Sequence, residues 1–210
     1  MEGSRGLGDV YKRQAAYLEE GGDHRDNYWG MILGGDKGAC QYTDDDWQNL
    51  AQAMNALAKK NKIKWLVLTT RFTSKGATDS LLAGLKSRYL ESTNSYSQRL
   101  DDPLPLLAAR AQRIYCSFEQ LPILFDVIAS GCPAIALMPE LAQPNRQIRQ
   151  FFSVLRQERL LSVASIAELA EARMARPARP LPDLLKRKRQ QLFEQWSAHC
   201  PGSIMATQRH

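Results

Sequence analysis

The sequence predicts an α/β fold built on a doubly wound parallel sheet, on three observations. Short apolar runs bounded by turn residues recur along the chain: YWGMILG at 28–34, KWLVLTT at 64–70, RIYC at 113–116 and PAIAL at 133–137. Between them lie segments with apolar residues at helical spacing, long enough to serve as parallel crossovers. The runs are continuous in apolar character rather than alternating, as strands covered on both faces are.

The elements follow in order. Tyr28–Gly34 is read as the first strand, stopped by Gly34-Gly35, and Asp36–Tyr42 as a loop. Thr43 with Asp46 has the spacing of a capping arrangement. Behind it Trp47, Leu50, Ala51, Met54, Leu57 and Ala58 give an amphipathic helix to about Lys60. Lys64–Thr70 is the second strand, and Ala77–Leu90 a second helix through Leu81, Leu82, Leu85 and Tyr89. Ser95–Leu100 is expected as a strand. Leu104–Ala111 is a short helix opened by Asp102-Pro103, because proline is favoured in a first turn. Then come strand Arg113–Cys116, a helix to Ala129, Gly131 as its stop, strand Pro133–Leu137 and helix Asn145–Arg159. Ser165–Met174 is expected to be helical, Arg176–Pro182 a linker and Asp183–Trp196 a terminal helix. A Rossmann-like domain over 28–160 and a helical basic tail over 161–210 follow from this order.

Composition narrows the function. A hydrophobic share of 44% and a charged share of 24% are those of a globular protein. No stretch reaches the roughly 18 apolar residues of a membrane span. Cys40, Cys116, Cys132 and Cys200 form no C-x-x-C, and His24, His199 and His210 stand apart. No metal site is expected, and the scattered thiols suit a reducing, cytoplasmic setting. The net charge of +6 is uneven, with twelve Lys/Arg against five Asp/Glu in 145–210. Its densest block, Lys186, Arg187, Lys188 and Arg189, is read as a solvated face or as a peripheral contact with anionic membrane. The block lacks the interleaved aromatics of a single-strand nucleic-acid platform, so nucleic acid is not expected as a partner.

The N-terminus reads differently. Asp9–Gln14, DVYKRQ, is the translation of a common transposon mosaic-end adapter. Residues 1–14 are therefore expected to be artefactual, with natural sequence from near Ala15, a linker over 15–27 and a missing upstream part.

Sheets of this class bind ligands at the carboxyl ends of their strands. Gly34 and Gly35 end the first strand, where a phosphate or another chain can approach the bare backbone. Neither G-x-G-x-x-G nor G-x-x-x-x-G-K-[ST] is present. Thr70, Arg71 and Thr73 follow the second strand and offer hydroxyls and a planar donor fork to a diphosphate, or else a cap and a surface arginine. Ser117, Glu119 and Gln120 occupy a strand-to-helix turn, where capping is the alternative role. Asp126 lies among Leu124, Phe125, Val127 and Ile128, near two helical turns beyond Glu119 and so roughly on its face if 120–130 is helical. Its carboxylate is read as an acceptor for ribose hydroxyls, or as facing solvent. With no histidine nearby, no triad and no catalytic residue is assigned.

These segments resemble the mitochondrial fission ELM-type family, in its bacterial members, over about 28–160. The resemblance is carried by ILGG, LVLTTRFT, DDPLPLLAARAQRI, SFEQLPILFDVIASGCPA and NRQIRQFFSVLRQERLL. The family is similar to the C-terminal, nucleotide-sugar-binding half of GT-B glycosyltransferases and to sugar-nucleotide epimerases. Carried over, the resemblance gives Asp126 the ribose and Ser117, Glu119 and Gln120 the phosphate-proximal turn. The family's Asp-Ser is Glu119-Gln120 here, its later serines are Pro122 and Phe125, its acid is Asp126, and its second arginine is Phe72. It implies the nucleotide-diphosphate-sugar-binding half of a glycosyltransferase-like protein, with no resident cofactor. Such a half is inactive without its N-terminal partner domain. A non-catalytic interaction or membrane-surface protein, and an epimerase, are the alternatives.

Overall fold

The computed structural model describes residues 27–37, 40–95 and 103–170. The adapter-like segment, the terminal helix, Cys200, the histidines and Lys186–Arg189 lie outside the described residues. Six strands form one parallel sheet: β1 Tyr28–Leu33, β2 Lys64–Thr69, β3 Leu90–Ser95, β4 Ile114–Ser117, β5 Ala134–Met138 and β6 Leu161–Ser165. Their order is β3-β2-β1-β4-β5-β6, that of a doubly wound dinucleotide-type sheet. Five helices connect them: α1 Asp44–Asn61, α2 Lys75–Gly84, α3 Leu104–Arg110, α4 Leu121–Ala129 and α5 Arg146–Gln157.

Alternation along the strands divides the core between two faces, as the pleat requires. Met31, Leu33, Trp65, Val67, Tyr115 and Ile135 pack with α1 and α2 on one side. Ile32, Leu66, Leu68, Ile114, Cys116 and Ala136 pack with α3, α4 and α5 on the other. The first face centres on Trp29, Trp65 and Tyr115, whose rings lie 5.4–5.8 Å apart. β1 and β4 pair through Gly30↔Ile114, Met31↔Tyr115 and Ile32↔Cys116. A Cβ at Gly30 would stand 2.9 Å from Ile114 Cγ1, so the bare α-carbon lets α3 and β4 settle against β1.

Local chemistry sets the helix ends. Thr43 caps α1 in a full capping box with Asp46. Ser74 and Asn145 cap α2 and α5 by accepting from Ala77 and Ile148 N–H.

The sequence-based expectations differ from the structure at three places. The second helix stops at Gly84 rather than Leu90, because Leu85 leaves helical backbone (φ −86°, ψ 124°). Gly84 meets α1 there, where a Cβ would lie 2.8 Å from that of Ala51. The chain then makes a short 3-10 turn, Ser87–Tyr89, and enters β3 at Leu90, five residues before the expected strand; residues 96–100 lie outside the described set. Residues 165–170 hold the end of β6 and turns rather than a helix. Leu161–Ser165, where no strand was expected, pairs with Ala134–Met138. The sheet therefore continues past residue 160.

Candidate functional site

The strand order reverses between β1 and β4, the position at which sheets of this class form a ligand crevice at the carboxyl ends of the strands. One wall is formed by Gly34–Lys37 and Cys40–Tyr42 after β1; the other is the β4–α4 turn, Ser117–Gln120. Gly34 N–H donates to Ser117 Oγ at 2.9 Å, and Gly35 N–H to Glu119 Oε1 at 3.0 Å. Glycine is required at both positions. A Cβ at Gly34 would run into the Glu119 carboxyl, and one at Gly35 into the Phe72 carbonyl oxygen.

Glu119 is the centre of this arrangement. Besides Gly35, its Oε1 accepts from Gln120 Nε2 at 3.3 Å. Its Oε2 accepts from Tyr42 Oη at 3.0 Å and from the Cys40 thiol at 3.4 Å. Glu119 is 9% exposed, and four donors are what a carboxylate needs at that depth. The donors hold their protons firmly. Burial first, and the nearby Glu119 carboxylate second, push both the Cys40 thiol and the Tyr42 phenol well above their ordinary ranges. The same two causes act on Cys116, one strand position below.

Local bonds hold Cys40 and Tyr42 beside Glu119. Lys37 and Cys40 exchange both backbone bonds at 3.0 and 3.1 Å, and Tyr42 N–H donates to Asp36 Oδ1 at 2.8 Å. Tyr42 then stacks on Trp47 of α1, with centroids 4.6 Å apart. Asp46 extends the cluster. Its Oδ2 accepts from Thr43, and its Oδ1 accepts Glu140 N–H at 3.2 Å, tying α1 to the β5–α5 loop.

The β2–α2 loop closes the third side. Thr73 Oγ1 donates to Leu33 O at 2.7 Å and accepts from Thr70 N–H at 2.9 Å. Thr70 is buried, and its Oγ1 accepts from Phe72 N–H at 3.4 Å. The expected hydroxyls are thus engaged in holding the loop against β1. Arg71 is exposed. Its Cζ lies 4.7 Å from the Phe72 ring centroid, and Lys37 Nζ lies 4.5 Å from the same ring. Phe72 brings two cations together at the crevice mouth through its π-face.

Of the residues chosen from sequence, the structure gathers Gly34, Gly35, Ser117, Glu119 and Gln120 into one hydrogen-bonded cluster, with Thr70, Arg71 and Thr73 beside it. Asp126 lies further along α4, beyond that turn. It is exposed on α4, on the face opposite the buried Leu124, Val127 and Ile128. The two acids do not share a helical face, because the helix begins only at Leu121 and Glu119 lies in the preceding turn. Nor do the turn residues cap it, since Gln120 holds the N-cap position without a side-chain bond. Sequence reasoning missed Lys37, Cys40 and Tyr42, whose partners are distant in the chain. Among the described residues, no group of three or more His, Cys, Asp and Glu could hold a metal, and no helix is long and apolar enough to cross a membrane.

A parallel sheet in this order, with polar groups from both halves meeting at its reversal, defines a Rossmann-like α/β domain. Residues 10–185 match the family model described as Mitochondrial fission ELM1, and the chain belongs to that family. Family and sheet together give a glycosyltransferase-like fold. No curated protein matches the chain. Among solved structures, Streptococcus suis SuiB bound to S-adenosylmethionine is 14% identical with a TM-score of 0.28, over 95% of this chain and 52% of that one. The chain thus spans about half the length of that protein, and likeness at this level carries no argument about fold or ligand.

Proposed function

We propose that the chain is the nucleotide-diphosphate-sugar-binding half of a glycosyltransferase-like protein, with the ligand at the crevice between β1 and β4. The observation that carries this reading is the meeting of the Gly34-Gly35 strand end with the Ser117–Gln120 turn at the reversal of strand order. Glu119 already holds the Gly35 N–H, so a diphosphate would sit further out, against Lys37 and Arg71 at the mouth. Asp126, exposed on α4, is the ribose acceptor in this reading. No residue is assigned to bond making, and the domain alone is expected to show no glycosyl transfer.

Calorimetric titration with UDP and UDP-sugars tests it. Millimolar or tighter binding is expected, weakened about tenfold in Arg71→Ala, the size of one charge-assisted contact. Absence of heat with every nucleotide would sink the reading.

One observation favours a second reading. Glu119 places a carboxylate where a phosphate would otherwise take a backbone N–H, and three further protein donors hold it there. That suits a non-catalytic interaction protein reusing the fold, at a membrane surface through Lys186–Arg189. Binding to anionic vesicles that vanishes at high salt, with no nucleotide affinity, is its expected signature.

A further inference from the structure

The opposite edge of the sheet carries a second concavity. At the amino ends of β1 and β2 lies a cavity of about 460 Å³, walled by Lys59, Lys62, Lys64, Arg88 and the rings of Tyr28 and Tyr89. Lys64 is held from one side by Glu91 at 3.0 Å. Lys59, Lys62 and Arg88 have no carboxylate partner among the described residues. Arg88 instead rests over the Tyr89 ring at 4.8 Å. No acidic side chain lines the cavity among the described residues.

Cations at the end of a helix complement its dipole, which accounts for Lys59 in the last turn of α1. It favours a cation at the C-cap Lys62 as well, but it does not account for a side chain in that residue's backbone conformation. That residue lies past the helix with φ 55° and ψ 44°, in the left-handed region that glycine or asparagine usually fills at a helix stop. Glycine does fill it after α4, where Gly131 has φ 74°. Arg159, at φ 56°, repeats the cationic choice after α5. A side chain kept in that conformation is strained, and strain retained beside a concavity points to a use for the side chain. Here the use is one more positive charge on a wall that already has three.

We propose that this cavity binds a phosphate-bearing anion, from either a small phosphorylated molecule or a lipid headgroup. An anion relieves the mutual repulsion of the cations and accepts several charge-assisted hydrogen bonds at once. The tyrosine rings flank it. The site is independent of the crevice, since the strands separate the two by about 17–20 Å.

The test uses the full chain with two probes: inorganic pyrophosphate in calorimetry, and phosphatidylcholine vesicles with and without a phosphoinositide in cosedimentation. The informative variant is Lys62→Gly, which removes the charge and suits the backbone, so a thermal melt should show the fold retained. Arg88→Gln is the second variant, should the first alter the loop. Pyrophosphate binding weakened about tenfold or more by either variant, and unchanged by Arg71→Ala, supports the site with a soluble ligand. Phosphoinositide-dependent sedimentation lost in either variant supports it with a lipid source. The proposal is overturned if neither probe binds, or if binding ignores both variants. It is equally overturned if Arg71→Ala alone abolishes binding, which would locate the anion at the crevice.

Discussion

Removing the Glu119 side chain is the most direct test of the crevice. Glu119→Ala deletes the acceptor for Gly35 N–H, the Cys40 thiol, Tyr42 Oη and Gln120 Nε2 together. A buried donor left without a partner costs about 1–3 kcal/mol. Gln120 can turn and water can reach part of the gap, so the four do not sum in full. A loss of about 3–5 kcal/mol is expected, the cost of roughly two such donors left unpaired. Glu119→Gln separates shape from charge. Its oxygen can still accept from Gly35, and the Tyr42 hydroxyl can rotate to accept from the new amide, leaving a loss of about 1 kcal/mol. Urea unfolding followed by tryptophan fluorescence measures both, since Trp47 stacks on Tyr42 and reports on the cluster. The slope against urea should hold steady while the midpoint moves. A Glu119→Ala variant within about 0.5 kcal/mol of the parent would refute the argument. So would a Gln variant as damaging as Ala.

Other consequences are as specific. Gly34→Ala drives a methyl group into the Glu119 carboxyl and toward Ser117 Cβ, and should destabilise by about 1–3 kcal/mol in the same unfolding assay. Thr43→Ala removes the capping box of α1 at a cost of about 1 kcal/mol, read from the thermal midpoint. Stability should depend on alkaline pH in a fixed direction. The ordinary thiol value is 9.0 and Cys40 lies above it when folded, so above pH 9.0 the unfolded chain releases a proton that the folded chain keeps. Stability is full below that pH and falls above it by about 1.4 kcal/mol per pH unit for this group, with Tyr42 adding to the slope above pH 10.0. Cys40→Ser should reduce the first part of the slope, Cys116 keeping its own share, and a parent protein equally stable at pH 8 and pH 10 would contradict the assignment.

The sequence showed much of the sheet and little of the site's wiring. β1, β2, β4 and β5 were readable because each is a continuous apolar run, which burial on both faces demands. β3 was not. LESTNS is a polar edge strand with none of its residues buried, and Tyr89 continued the helical spacing of Leu81 and Leu85 beyond the true stop. β6 was missed because LSVAS is short and only weakly apolar, and a strand partner cannot be read from one strand. Gly34, Gly35, Ser117 and Glu119 were accessible to sequence reasoning because strand ends are where such folds bind. Cys40 and Tyr42 were not, because their partner lies 79 and 77 residues away and nothing local marks the pairing. Asp126 drew attention as an acid in an apolar helix, and the helix resolves that by turning it outward.

The bond from Gly35 to Glu119 spans 84 residues, and β1 has no neighbour on that side until β4 is made. On a ribosome adding about 5–20 residues per second, that edge waits roughly 4–17 s with its amides and carbonyls open. During that interval the first three strands form a half-sheet with a raw apolar margin, able to recruit any other strand that passes. Contact order makes the closing step slow even in the finished chain, since the loop entropy must be overcome before the seam yields any bonds. Substitutions at the seam should therefore act on the closing rate and on aggregation during synthesis more than their equilibrium cost suggests. A nascent chain stalled just short of Ile114 would be the species most dependent on a chaperone.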